Sequence, residues 1–261
     1  MLIDTKLITE LRAQTGAGIG DCKSALEEAG GDIPKAIEVL RKKGAIKAAK
    51  KSDRATKEGV ISILKAGNKV AVVGLACETD FVALNEDFIK TAQEFAQELL
   101  KQGSEEFKNW AKDKITNELI VKIGENIQLT DFEILTGETL GIYLHSNKKV
   151  AAVVIMEGGN EELAVNLAMQ VTAMLPRYIK PEDIPPAEIA KEKEIYREQL
   201  KAEGKPEAMW KKIILGKLNK YYQEVCLLKQ PYIKDDKITV EKLIEQEGKG
   251  IEVIKFSRYQ I

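Results

Sequence analysis

Two five-residue blocks, Lys69-Val70-Ala71-Val72-Val73 and Lys149-Val150-Ala151-Ala152-Val153, recur 80 positions apart and constrain the fold more than any other feature of the chain. Each opens a nearly unbroken run of β-branched and small apolar residues, the pattern of a strand buried on both faces. Residues 59–65 precede the first block across Ala66-Gly67-Asn68, and residues 140–145 precede the second across Ser146-Asn147-Lys148, which are two hairpin signals. After the first block, Asn85 is placed to cap a helix over Glu86–Gln102 with acids in its first turn. After the second, residues 161–175 carry a matching helix. A hairpin followed by a helix, twice over, predicts an internal duplication and an α+β fold with two related subdomains. One spans residues 55–139, and the other is assembled from residues 140–181 and 226–261. Between the repeats, residues 105–124 are expected to be helical and residues 127–136 to form a further strand.

The flanking segments are helical. Asp4 caps a first helix with Leu7, Ile8 and Leu11 on its apolar face, ending at Thr15-Gly16. A second runs from about Gly20 to Ala29 and stops at Gly30-Gly31. Asp32 caps a third, which tolerates Pro34 in its first turn and ends before Gly44. Three short helices bury little alone, so residues 1–54, connector included, make a small module in need of support. Residues 41–57 hold eight basic side chains and one acid, Asp53, without interleaved aromatics. Such a segment is a solvated helical face before it is a nucleic-acid site. Residues 182–225 predict an inserted antiparallel helical hairpin, with residues 187–202 joined through Glu203-Gly204-Lys205-Pro206 to a helix carrying Trp210, Ile213, Ile214, Leu218 and Tyr221. Strand character resumes at 224–228, followed by a helix at 240–246 and a last strand at 250–259. An inserted hairpin with exposed apolar positions is commonly an association element.

Forty basic residues against 41 acidic ones leave a net charge of −1, which argues against a dedicated nucleic-acid binder. Cys22, Cys77 and Cys226 are odd in number and widely spaced, so neither a disulfide framework nor a zinc site is expected. No stretch approaches 18 uncharged apolar residues, and the first residues do not read as a signal peptide. A cytoplasmic protein without a membrane partner is the expectation. A catalytic triad would hang on the single histidine, His145, beside which nothing marks a nucleophile. Gly16-Ala17-Gly18-Ile19-Gly20 follows a helix and lacks a Gly-Lys-Ser/Thr ending, so it is a helix–helix turn before it is a phosphate loop. No carboxylates form a spaced acid/base or metal pair. No catalytic residue, metal or cofactor is therefore expected. Two other classes stay open: a scaffold or nucleic-acid-associated protein using the basic connector, and an enzyme dependent on His145.

Thr79-Asp80-Phe81-Val82 stand where the first buried strand hands over to its helix. Turns usually take Gly, Asn or Ser, whereas this one sets an acid beside a large aromatic. Phe81 is either folded back to plug the strand–helix corner or aimed at something else.

Leu11-Arg12-Ala13-Gln14-Thr15-Gly16-Ala17-Gly18-Ile19-Gly20-Asp21-Cys22-Lys23-Ser24-Ala25-Leu26 resembles the N-terminal signature of the bacterial elongation factor Ts family. Cys77-Glu78-Thr79-Asp80-Phe81-Val82-Ala83 resembles its second signature, and the likeness continues through Lys122-Ile123-Gly124-Glu125-Asn126 and Gln230-Pro231. The resemblance implies a guanine-nucleotide exchange factor that binds elongation factor Tu in its GDP-bound and nucleotide-free states. It implies a small UBA-like helical domain, two similar α+β subdomains and a helical hairpin, through which a dimer or heterotetramer could form. Residue by residue, it implies that Thr79, Asp80, Phe81 and Val82 dislodge the magnesium ion of elongation factor Tu. It makes Arg12, Ile19, Gly20, Lys23, His145, Tyr232, Ile233 and Lys234 contacts to that GTPase. The chain departs from the family pattern at Ala76, where Asn is usual, at Leu84, where a basic residue is usual, and at Ile19-Gly20, where larger residues are common. It stops at Ile261, so the C-terminal helical module of some members is expected to be absent.

Overall fold

The computed structural model describes residues 3–261. Contacts gather into two units. One runs through Leu135 and takes in His145–Lys149 and Tyr259–Ile261; the other comprises Thr136–Leu144 and Val150–Arg258. Both mix helices with small sheets, so the chain is an α+β protein.

In the first unit the capping residues act as their chemistry directs. Asp4 accepts from the Lys6 amide at 2.9 Å and opens α1 (Thr5–Thr15), which ends at Gly16 with φ of 69°. α2 (Ile19–Glu28) follows Gly18, and Asp32, accepting from the Lys35 amide at 2.9 Å, opens α3 (Ile33–Lys51). Leu11, Ala17, Cys22, Ala25, Leu26, Ala36 and Leu40 form the core of these helices, and Val121 from farther along the chain completes it.

α3 corrects one expectation, because it does not stop at Gly44 but continues through the basic segment to Lys51. Gly44 is buried where α3 passes the segment around Thr116 and Val121. A Cβ there would run into the Val121 side chain and lie 3.2 Å from the Thr116 carbonyl oxygen. The glycine thus permits a close helix approach and does not end a helix. The lysines lie on the helix surface, where Lys47 meets Asp21 at 2.7 Å and Lys43 meets Glu28 at 2.8 Å.

β1 (Glu58–Ala66) and β2 (Lys69–Cys77) pair antiparallel from Glu58↔Cys77 to Ala66↔Lys69, and Gly67 supplies the positive φ of the turn. The one-turn helix α4 (Asp80–Ala83) leads into α5 (Glu86–Gln102), whose Phe88, Ala92, Phe95, Ala96 and Leu99 are buried. α6 (Ser104–Lys114), a wider π-helical stretch Ile115–Leu119 and α7 (Ile120–Ile123) follow, before β3 (Gln128–Thr136) takes the second edge of β2. Phe95 sits 4.8 Å from Trp110, and Phe107 sits 5.5 Å from Phe132, an aromatic cluster that anchors α5 and α6.

In the second unit β4 (Thr139–Leu144) and β5 (Val150–Glu157) pair antiparallel from Thr139↔Met156 to Leu144↔Ala151. α8 (Glu161–Met174), capped by Asn160 on the Leu163 amide at 2.8 Å, packs on them, and Gly141 has no room for a Cβ against the Ala164 backbone. The helical hairpin is α9 (Pro186–Ala202) and α10 (Glu207–Val225). β6 (Pro231–Tyr232), β7 (Asp235–Thr239), α11 (Val240–Glu247) and β8 (Glu252–Gln260) complete the chain, with β8 on the free edge of β5.

The strand expected at 224–228 is absent. α10 continues to Val225, Cys226 makes a single parallel bridge to Tyr178, and Leu227–Lys229 is a 3-10 turn. The apolar run exists because Val225 and Cys226 pack at the hairpin base while Leu227 enters the core over the sheet. A short apolar run cannot by itself distinguish a strand from buried chain of another shape.

At the hairpin base Glu188 accepts hydrogen bonds from Tyr221 and, at 2.7 Å, from Tyr178, and Arg177 lies 2.9 Å away. The bond from Tyr221, then that from Tyr178, holds the Glu188 carboxyl below its ordinary value, while burial and Glu188 push the Tyr221 phenol up to about 12. A carboxyl lowered by folding stabilises the fold above its unfolded value and loses that effect as pH falls through the folded one. Acidification from above the ordinary glutamate range down through the lowered value of the folded carboxyl is therefore expected to loosen the hairpin base. Lower amide protection factors at Arg177 and Tyr178, whose N–H groups donate to the Val225 carbonyl, are the readout. Glu188→Gln should remove this pH dependence; an unaltered profile in that variant would assign it to another group.

Candidate functional site

β2 ends at Cys77, and within eight residues the chain must reverse into α5. Two caps divide that distance. Thr79 caps the turn Asp80–Ala83, with its hydroxyl 3.4 Å from the Val82 amide, and Asn85 caps α5 by accepting from the Asp87 amide at 2.8 Å. Between the caps lies one isolated helical turn, too short to persist alone.

Neighbouring side chains hold it. The Glu125 carboxylate accepts from the amides of Glu78 (2.9 Å) and Thr79 (3.0 Å) with one oxygen and from the Thr79 hydroxyl (2.6 Å) with the other. Glu78 in turn accepts from the Asn126 amide at 2.7 Å, and Asn126, 3% exposed, donates through its side chain to the Arg54 carbonyl at 2.8 Å. Burial, then the charges of Glu125 and Glu58, push the Cys77 thiol up to about 12, so it stays protonated and donates to the Thr79 carbonyl at 3.2 Å. Charge-assisted bonds of the kind made by Glu125 are the stronger ones in proteins.

With Ala83 buried and Val82 half-buried, the turn leaves Phe81 outside, 84% exposed. The corner-plug alternative does not hold for this ring. Leu84, three residues on, is 73% exposed on the same side of the turn. Among the described residues the exposed Asp80 carboxylate has no hydrogen-bond or ion-pair partner. A groove of about 360 Å³ runs beside the ring, lined by Phe81, Val82, Asn85, Phe88, Leu119 and Lys122 among others. Leaving a Phe and a Leu in water forgoes roughly 1.5–3 kcal/mol for each relative to burial.

The other sequence-predicted residues fall in two groups. In the first unit Arg12 is exposed in the last turn of α1, Ile19 is 59% exposed at the start of α2, and Lys23 pairs with Glu27 at 4.0 Å. Gly20 is exposed, with open space where a Cβ would stand. The methylenes of Lys122 pack over Gly16, and its ammonium lies 3.9 Å from Asp87, so one side chain links the glycine turn to the start of α5. His145, also grouped with this unit, is exposed just after β4. In the second unit Tyr232 is 6% exposed, Ile233 is 40% exposed, and the Lys234 ammonium donates to Asn166 at 2.7 Å. The burial of Tyr232 makes its ring a packing element of that unit.

Glu125 and Asn126 were overlooked as site residues, although the segment containing them carries part of the resemblance. The signal was an acid and an amide immediately after the helix-ending Gly124, whose φ is 84°. Ala76 is buried in β2. Among the described residues there is no cluster of His, Cys, Asp and Glu able to hold a metal ion, and no helix is long and apolar enough to cross a membrane.

The fold and this site define an α+β protein that displays a braced, outward-facing aromatic turn. Residues 78–261 match the profile of the family described as Elongation factor TS. The chain is 40% identical over 285 residues to Elongation factor Ts of Aquifex aeolicus, covering all of this chain and 98% of that one. It is 43% identical over 267 residues to the protein of the same name from Psychromonas ingrahamii, covering 99% and 90%. For that of Nitratidesulfovibrio vulgaris strain DP4 the figures are 39% over 279 residues, covering 100% and 96%. The chain belongs to the elongation factor Ts family of translation elongation factors.

Proposed function

We propose that this chain binds elongation factor Tu, displaces its magnesium ion and promotes GDP release so that GTP can rebind. The observation that carries the reading is Phe81, 84% exposed on a turn whose backbone is held by Glu125. Exchange needs no covalent chemistry. The protein must bind the nucleotide-free GTPase more tightly than the nucleotide-bound form, and linkage then weakens nucleotide binding by the same factor. Loss of magnesium leaves the diphosphate charge poorly neutralised at short range. Phe81 acts as the wedge that displaces side chains packed around the metal ligands, and Asp80 is free to accept from backbone donors of the partner. Thr79 and Val82 hold the turn.

Arg12, Ile19, Gly20 and Lys23 dock the helical module beside the nucleotide pocket, and His145, Ile233 and Lys234 supply further contacts, while the buried Tyr232 packs within its own unit. In this reading β1–β2–α5 and β4–β5–α8 are two copies of one duplicated unit. The α9–α10 hairpin serves association, supported by the exposure of Ile195, Met209 and Leu215 along it. Replacing residues 184–225 with a short Gly linker is then expected to lower the mass seen by light scattering and to preserve most exchange activity. Loss of exchange by a folded variant would reassign the hairpin.

Release of labelled GDP from elongation factor Tu, with and without the protein, tests the whole proposal. Acceleration by roughly ten-fold or more is expected. An unchanged release rate at saturating protein would overturn it. The same assay on a chain starting at Thr56 measures what the helical module contributes.

A further inference from the structure

Gln170 of α8 and Gln230, just ahead of β6, are both fully buried. The Gln170 amide donates to the Gln230 side-chain oxygen at 3.2 Å and to the Pro231 carbonyl at 3.0 Å, while its own oxygen accepts from the Ile233 amide at 2.8 Å. Gln230 passes the connection on, donating to the carbonyls of Met174 and Glu224, each at 3.1 Å. Its backbone carbonyl accepts from the Val240 amide at 3.0 Å. One turn earlier on α8, Asn166 accepts from the Lys234 ammonium at 2.7 Å. The two amides thus join the ends of α8 and α10 to the short segment that leaves Ile233 and Lys234 exposed.

A buried glutamine pair is a poor way to fill space, since each polar group must find a partner or destabilise the fold. Here all four side-chain N–H groups are used, and a fully satisfied network fixes direction where apolar packing would tolerate several. We infer that Gln170, braced by Gln230, is a positioning residue that sets Ile233 and Lys234 for contact with the GTPase. The inference rests on the exchange-factor reading. Gln170 touches no partner itself; it holds the Ile233 backbone so that the Ile233 and Lys234 side chains meet the partner from one orientation.

The test uses the full chain and three variants, Gln170→Leu, the milder Gln170→Asn, and Ile233→Asp as a direct change at the contact. In Gln170→Leu the Ile233 amide should lose its protection against hydrogen exchange while the α8 amides keep theirs. In the GDP-release titration the half-saturating concentration should rise about ten-fold, the effect of losing one buried hydrogen bond at a contact, with the maximal rate nearly unchanged. Gln170→Asn should show the same pattern with smaller amplitude, and it stands in should the Leu variant not fold. A protected Ile233 amide in a folded variant would overturn the positioning role. So would an unchanged half-saturation in Gln170→Leu beside a raised one in Ile233→Asp. Unchanged half-saturation in both would overturn the contact itself, and with it the reading beneath the inference.

Discussion

Phe81→Ala is expected to cut stimulated GDP release from elongation factor Tu by about ten-fold or more, as truncation of an aromatic hot spot worth on the order of 2–4 kcal/mol requires. The melting temperature of the free protein should hardly move. The ring is 84% exposed, so almost no apolar burial is lost when it is removed from the unbound state. Truncating a buried phenylalanine instead destabilises a fold by roughly 3–5 kcal/mol. Calorimetry of the free variant beside its exchange rate separates the two cases. A strongly lowered melting point, with normal exchange by the molecules that remain folded, would remove Phe81 from the mechanism.

Glu125→Ala should harm both stability and function. The carboxylate accepts three hydrogen bonds, from the amides of Glu78 and Thr79 and from the Thr79 hydroxyl, and its loss leaves three donors at a half-buried corner unpaired. Water reaches part of this corner, so the expected destabilisation is about 2 kcal/mol and not the sum of three full bonds. For a chain of this size that corresponds to a drop in melting temperature of roughly 4–8 °C. Exchange should fall about ten-fold even well below the melting point, because a loosened turn presents Phe81 in many orientations and the ordering must be supplied on binding. Glu125→Gln keeps one acceptor and should fall between the two. If Glu125→Ala melted early yet exchanged GDP normally at low temperature, the carboxylate would be a stabiliser of the corner with no hold over the wedge.

The two hairpin–helix units were legible because their signals are local. β2 and β5 read as buried strands because their apolar runs are rich in valine and each follows a turn signal, Gly67 marked one of those turns, and Asp4, Asp32 and Asn85 are the residues that cap their helices in the structure. What was not legible depends on contacts distant in sequence. Gly44 looked like a stop signal because nothing nearby reveals that Val121 and the Thr116 carbonyl crowd it. Residues 224–228 looked like a strand because apolar character shows burial without showing which neighbours cause it. The position of the Thr79–Val82 turn could be read from its flanking strand and helix, but its brace could not. Glu125 lies 46 positions from Thr79 in sequence, and no propensity links them.

The bracing of the isolated helical turn also has a kinetic side. A surface element that must first unfold or swing out is competent in only a fraction of molecules, and its measured association rate is discounted by that fraction. Here the resting conformer already carries the ring outward, so collisions meet a ready side chain. The observed rate of complex formation should then rise in proportion to protein concentration, limited by diffusion and orientation, with no plateau set by a preceding rearrangement of the factor. On the proposed exchange reading, any slow step is then expected on the GTPase side of the encounter.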